Sequence, residues 1–150
     1  MGKLIGIARR DQKRGEVQTI DSAEVTEASG VQQDFRGKPG PRQVTVIAAR
    51  VWRDVCSELG RDIPWTARRA NLLVDAIDLP AAAGGTLQIG SVRLQIHRET
   101  DPCSRMDEQC PGLTAALQPD WRGGVCCSVV TGGTIAIGDP VSLQNGTIAK

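Results

Sequence analysis

Cys103 is the residue whose surroundings best suit chemistry. It stands in Asp101-Pro102-Cys103-Ser104-Arg105-Met106, where Asp101 can cap a helix and Pro102 can fill its first position. The thiol then falls in the first turn, where unpaired backbone N–H groups favour negative charge. With Arg98 and Arg105 close in sequence, it should ionise more readily than a free thiol. Such a thiolate can act as a nucleophile, a sulfur carrier or a ligand to a soft metal. The plainer reading of the same stretch is a buried, inert cysteine, since free Cys is among the most buried residue types.

Other chemistries find less support. The single histidine, His97, closes a predicted strand; it is either a base for Cys103 or structural. Cys103, Cys110, Cys126, Cys127 and His97 are all possible zinc donors, but the cysteine pairs are separated by six residues or by none. Structural zinc favours spacings such as C-x2-C, and adjacent cysteines in a strand point to opposite faces. No zinc is expected. Of Cys126 and Cys127, the one facing the core should be inert and the one facing out reactive. No Gly-x-Ser-x-Gly elbow, Walker loop or dinucleotide fingerprint is present. What remains is Cys103 with Arg68, Arg69, Asn71, Arg105 and Arg122. Guanidinium groups suit phosphates and other planar oxyanions, so a thiolate among them makes sense beside an anionic cofactor.

The elements that must hold these residues read as one domain spanning 1–150, long enough to bury about 68–70% of its unfolded surface. One Phe, three Trp and no Tyr make the core aliphatic, and scarce aromatics weigh against a base-stacking nucleic-acid platform. Eighteen basic and seventeen acidic residues leave a net charge of +1. That balance gives no electrostatic case for nucleic acid or a membrane surface as partner. Basic clusters at Arg9-Arg10 with Lys13-Arg14 and at Arg68-Arg69 read first as solvated turns. Five cysteines cannot all pair within the chain, so reduced thiols and a cytoplasmic location are expected. The start, Met1 to Ile7, is too short an apolar run for a signal peptide or membrane span.

Along the chain, Leu4 to Ala8 reads as a strand and Glu16 to Val25 as a second extended segment, together a hairpin. Gly30 to Pro41 is loop chemistry. Gln43 to Ala49 reads as a buried strand, and Ala49 to Leu59 as a helix stopped by Gly60, with Cys56 inert on its apolar face. Thr86 to Ile89 and Val92 to His97 form a hairpin through Gly90-Ser91. Met106 and Cys110 share a helical face, and Pro111 should begin a second short helix through Leu113 to Leu117. Val125 to Val130, Thr134 to Ile137 and Val141 to Leu143 are closing strands. Many short strands with few helices indicate a mainly β fold, a barrel or sandwich with a few short helices.

These motifs resemble the MOSC domain, named for the C-terminal part of molybdenum cofactor sulfurase. Asp101 to Asp107, Cys110-Pro111-Gly112-Leu113 and Trp121-Arg122-Gly123-Gly124-Val125 carry the likeness most specifically. Gly30 to Asp34 with Arg42-Gln43-Val44, Arg68 to Leu72, Gly85 to Gly90 and Gly132 to Asp139 follow in the family's order. The resemblance implies a pyruvate-kinase-like β-barrel with Cys103 as the functional thiol. By the same resemblance Cys103 binds the molybdenum of a molybdopterin cofactor and supports reduction of N-hydroxylated compounds. Arg68, Arg69 and Asn71 would then lie near the pterin phosphate. The alternatives it leaves open are a sulfur carrier, loaded as a persulfide on Cys103 by a cysteine desulfurase, and a non-catalytic binding domain. Gln33 stands where many relatives place glycine. No iron–sulfur or flavin motif is present, so a reductase would need a separate electron donor.

Overall fold

The computed structural model describes residues 2–11, 16–35, 37–75, 77, 79, 84–100, 106–118 and 121–144. Its strands are β1 (Gly2–Arg9), β2 (Gln18–Thr19), β3 (Ser22–Thr26), β4 (Gly30–Val31), β5 (Val44–Ala48) and β6 (Leu72–Asp75). They continue as β7 (Thr86–Ile89), β8 (Val92–Glu99), β9 (Val125–Thr131), β10 (Gly133–Ala136) and β11 (Pro140–Gln144). The helices are α1 (Ala49–Leu59), α2 (Met106–Gln109) and α3 (Leu113–Leu117), with a 3-10 turn at Trp65–Arg68. Among the described residues no helix is long and apolar enough to cross a membrane.

Side-chain alternation drives closure. In β8, Val92, Leu94 and Ile96 are buried while Arg93 and His97 face out, the period-two pattern of a half-buried strand. Seven strands run β11-β7-β8-β9-β5-β6-β1, and β11 pairs back onto β1, closing a barrel. Closure removes the exposed edges that an open sheet would leave. β2 extends β1, and β10-β3-β4 form a second small sheet. Leu4, Val46, Leu72, Val74, Leu87, Ile89, Leu94 and Ile96 fill the interior, each worth about 1.5–3 kcal/mol of burial.

A second apolar layer lies outside the barrel. β5 and β6 are parallel, so their connection must cross over, and α1 with the 3-10 turn supplies it. Ile47 and Leu73, on the outer face of that pair, pack with Trp52 and Val55 of α1, Leu113 and Leu117 of α3, Met106 and Cys110. Gly60 closes α1 in the left-handed conformation (φ 64), as expected of a C-terminal glycine. Cys56 packs against this layer and donates to the Ile63 carbonyl at 3.6 Å.

Three local expectations are corrected. Gly30 to Pro41 contains the two-residue strand β4, because Val31 pairs with Val25 and both are buried. The second short helix begins after Pro111: Gly112 precedes α3 at φ 91, which no helical residue adopts. Neither Cys126 nor Cys127 faces solvent, since β9 is buried on both sides over its first three residues, Val125, Cys126 and Cys127. Cys127 lies in the barrel core, and Cys126 sits 3.3 Å from the Thr100 hydroxyl. Burial, and next the neighbouring Cys126, push the Cys127 thiol far above its ordinary pKa, which makes it inert.

Candidate functional site

Arg68 is the centre of one of two polar constructions. It ends the 3-10 turn, and Arg69 closes that turn in the left-handed conformation (φ 64) with its N–H on the Thr66 carbonyl. The Arg68 side chain then runs inward and is 7% exposed. Its Nε donates to the Gly123 carbonyl at 3.1 Å and its Nη2 to the Thr100 carbonyl at 2.9 Å, while Nη1 lies 3.9 Å from the Met106 sulfur. A buried cation is tolerable only when its donors are satisfied, and the Gly123 and Thr100 carbonyls take two of them. Thr100 and Met106 are the described residues on either side of Asp101 to Arg105. One guanidinium therefore fastens both flanks of the Cys103 stretch to the turn at Gly123. Cys103 and Arg105, and with them the expected first-turn helix position, lie outside the described residues.

The glycines of Trp121-Arg122-Gly123-Gly124 permit this closeness. A Cβ on Gly123 would collide with the Thr100 carbonyl oxygen, and one on Gly124 (φ 95) with the Val46 carbonyl oxygen. Arg122 points elsewhere. Its two Nη atoms take both carboxylate oxygens of Glu58 at 2.7 and 2.5 Å, and Nη1 also donates to the Ala116 carbonyl at 3.2 Å. The turn is thereby tied to α1 and α3, and the Arg122 hydrogen bond holds the Glu58 carboxyl below the usual glutamate range. Asn71 is buried in the barrel wall. Its Oδ1 accepts from the Thr45 N–H at 3.0 Å and its Nδ2 donates to the Ala8 carbonyl at 3.2 Å, joining β1, β5 and β6. So the structure gathers Arg68, the Trp121–Gly124 turn and the flanks of the Cys103 stretch, and sends Asn71 and Arg122 to structural partners. Arg69 is half-buried beside Arg68 in sequence.

The other construction is an open cleft of about 1050 Å³ lined by Asp11, Gln33, Asp34, Phe35, Lys38, Pro39, Pro41, Arg42, Gln43 and Arg98. Gln43 is its buried hub: Nε2 donates to the Glu27 and Gly37 carbonyls at 2.7 and 3.0 Å, and Oε1 accepts from the Val129 N–H at 2.8 Å. That network folds the Gly- and Pro-rich loop against the barrel. Among the described lining residues three cations stand with two carboxylates, and Asp34 also accepts from the Arg10 N–H at 3.1 Å. The balance favours a ligand with an anionic end.

Arg98 reaches the cleft because of a bulge. Strict alternation after Ile96 would send His97 out and Arg98 into the core, but the β8–β9 register shifts between Ile96 and Arg98. A bulge re-aims the following side chain, and both His97 and Arg98 are exposed. His97 Nε2 lies 2.8 Å from the Ser128 hydroxyl. β8 ends at Glu99 and Thr100 follows it directly, so one cleft wall is continuous in sequence with the stretch that holds Cys103. Lys38, Arg42, Phe35 and Gln43 escaped site assignment from sequence. Their signal was a charged Gly/Pro-rich loop followed by a strand, which marks a loop and not what it surrounds. Among the described residues no cluster of His, Cys, Asp or Glu could hold a metal ion.

Comparison with known proteins agrees with the architecture. The family model described as the MOSC domain matches residues 32–142. No curated protein matches the chain. Among solved structures, the YuaD protein from Bacillus subtilis is 18% identical, with a TM-score of 0.81 over 97% of each chain. YiiM from Geobacillus stearothermophilus is 16% identical, with a TM-score of 0.72 over 95% of this chain and 75% of that one. YiiM from Escherichia coli is 17% identical, with a TM-score of 0.71 over 94% and 69%. At such identities the shared property is the fold.

Proposed function

The chain belongs to the MOSC domain family, and from that premise we propose that it binds the molybdenum cofactor, with Cys103 as molybdenum ligand and the cleft as the seat of the pterin. The supporting observation is the cleft itself: cations from Lys38, Arg42 and Arg98, an apolar wall from Phe35, Pro39 and Pro41, and a strand that leads into the Cys103 stretch. A flat heterocycle carrying a phosphate fits that lining, because the guanidinium fork matches phosphate geometry and an aromatic face covers a ring. The cofactor, when bound, supplies a redox centre suited to reducing N-hydroxylated compounds with electrons from a separate donor.

The chain's own residues bind and orient. Arg42 and Arg98 receive the phosphate, and Arg69 and Arg105 are further cofactor-binding cations on the strength of the family motifs. Phe35 excludes water from one ring face. Arg68 holds the Thr100 and Met106 flanks, and through them sets where the Cys103 thiol stands. Asn71 and Arg122 act at one remove, by fixing the barrel wall and the Trp121–Gly124 turn. The test is molybdenum and phosphorus analysis of protein purified from a host that makes the cofactor. Wild type should carry both elements, and Cys103→Ser should lose most of its molybdenum. Equal molybdenum in the two proteins would sink the ligand assignment.

A further inference from the structure

Three non-glycine residues among those described have left-handed backbone: Gln33 (φ 68), Arg69 (φ 64) and Trp121 (φ 58). Arg69 closes the 3-10 turn, and the Trp121 carbonyl accepts the Gly124 N–H at 3.0 Å. Both are accounted for by the turns that build the Arg68 construction. Gln33 is exposed and lines the cleft.

Its turn is closed by the Asp34 N–H on the Val31 carbonyl at 3.0 Å. Gln33 is the third residue of that turn, and Gln32 is not among the positive-φ residues, the sign pattern of a type II turn. That position ordinarily takes Gly or Asn, and a longer side chain there is strained. Surrounding bonds enforce the conformation. The Gln32 N–H donates to the Glu24 carbonyl at 2.9 Å, Arg9 Nη1 to the Gln32 carbonyl at 3.1 Å, and the Phe35 N–H to the Arg10 carbonyl at 2.6 Å. Strain held in place by its surroundings on a cleft wall is characteristic of a residue in use. A glycine would satisfy the backbone, so the use lies in the side chain.

We propose that Gln33 is a specificity-determining residue of the cleft: its carboxamide hydrogen-bonds the edge of the bound heterocycle while the cations take the anionic end. The amide presents an acceptor and two donors side by side, complementary to the amino-pyrimidinone edge of a pterin. The ligand's identity rests on the cofactor reading above.

The experiment compares wild type, Gln33→Gly and Gln33→Met, each purified as holo-protein from a cofactor-producing host. Pterin release is followed by fluorescence, and thermal unfolding is measured in parallel. Met keeps the length and the strain but loses the amide; Gly loses the amide and relieves the strain. Both variants should release pterin about tenfold faster, as expected for one or two lost hydrogen bonds. The Tm of Gln33→Gly should be level with wild type or up to about 2 °C higher. Release at the wild-type rate in both variants would overturn the inference and leave the cofactor reading standing. Faster release from Gln33→Gly with a Tm several degrees lower would also overturn it, as collapse of the loop. Absence of pterin from wild type would overturn the cofactor reading, and this inference with it.

Discussion

Arg68 and Arg98 carry the same group to opposite ends of the burial scale. Arg68 is 7% exposed and donates to the carbonyls of Thr100 and Gly123. Arg98 is turned outward by a bulge and borders an open cleft. An arginine beside a motif can thus serve a site in two ways. A buried guanidinium surrounded by carbonyls fixes geometry, because its donors are matched by fixed acceptors. An exposed one on a concave wall stands where a ligand can reach it.

The sharpest way to break this contrast is to remove each arginine in turn. Arg68→Leu strips two buried carbonyls of a charged donor, and hydrogen bonds to charged groups are worth about 1.5–3 kcal/mol each. Urea denaturation should therefore show a loss of about 3–6 kcal/mol. Arg68→Lys should recover only part of it, since an ammonium cannot reproduce the fork. Arg98→Ala should change stability by less than about 1 kcal/mol. Its pterin affinity should nevertheless fall about tenfold to a hundredfold, the loss of one charge-assisted contact. Equal destabilisation by the two substitutions would dissolve the distinction.

The smallest effect concerns Arg122, the third arginine near the site. Its bond holds the Glu58 carboxyl below the usual glutamate range. The unfolded state then takes up that proton at higher pH than the folded state does. The pair's contribution is complete above the unfolded pKa and is lost as pH falls through the lowered folded value. Acid unfolding of wild type should accordingly be slightly steeper below about pH 4.5 than that of Glu58→Gln. Glu58 is exposed, so screening keeps the difference small, and identical acid limbs would show that the pair contributes nothing.

Legibility followed the range of the forces involved. The strand at Val44–Ala48, the helix at Ala49–Leu59 and the hairpin at Thr86–Glu99 could be read because period and turn chemistry are local. The family motifs singled out Arg68 and Asn71, yet both are buried with protein partners. Burial of a polar residue depends on what arrives from distant strands, which spacing does not encode. Arg98 was expected to matter only as a neighbour of Cys103 in sequence. Its outward turn depends on a one-residue register shift against β9, and no local pattern announces such a shift. Lys38, Arg42 and Phe35 lie in a loop folded by Gln43 bonds to Glu27, Gly37 and Val129. Those bonds couple positions far apart in the chain.

On the function proposed above, the cleft beside Arg98 receives the pterin and leads its metal to Cys103. Crystals of the holo-protein, with anomalous diffraction recorded at the molybdenum absorption edge, test it most directly. One molybdenum peak bonded to the Cys103 sulfur is expected, with pterin density running from it into the cleft lined by Phe35, Arg42 and Arg98. A molybdenum peak away from Cys103, or pterin density outside that cleft, would contradict it.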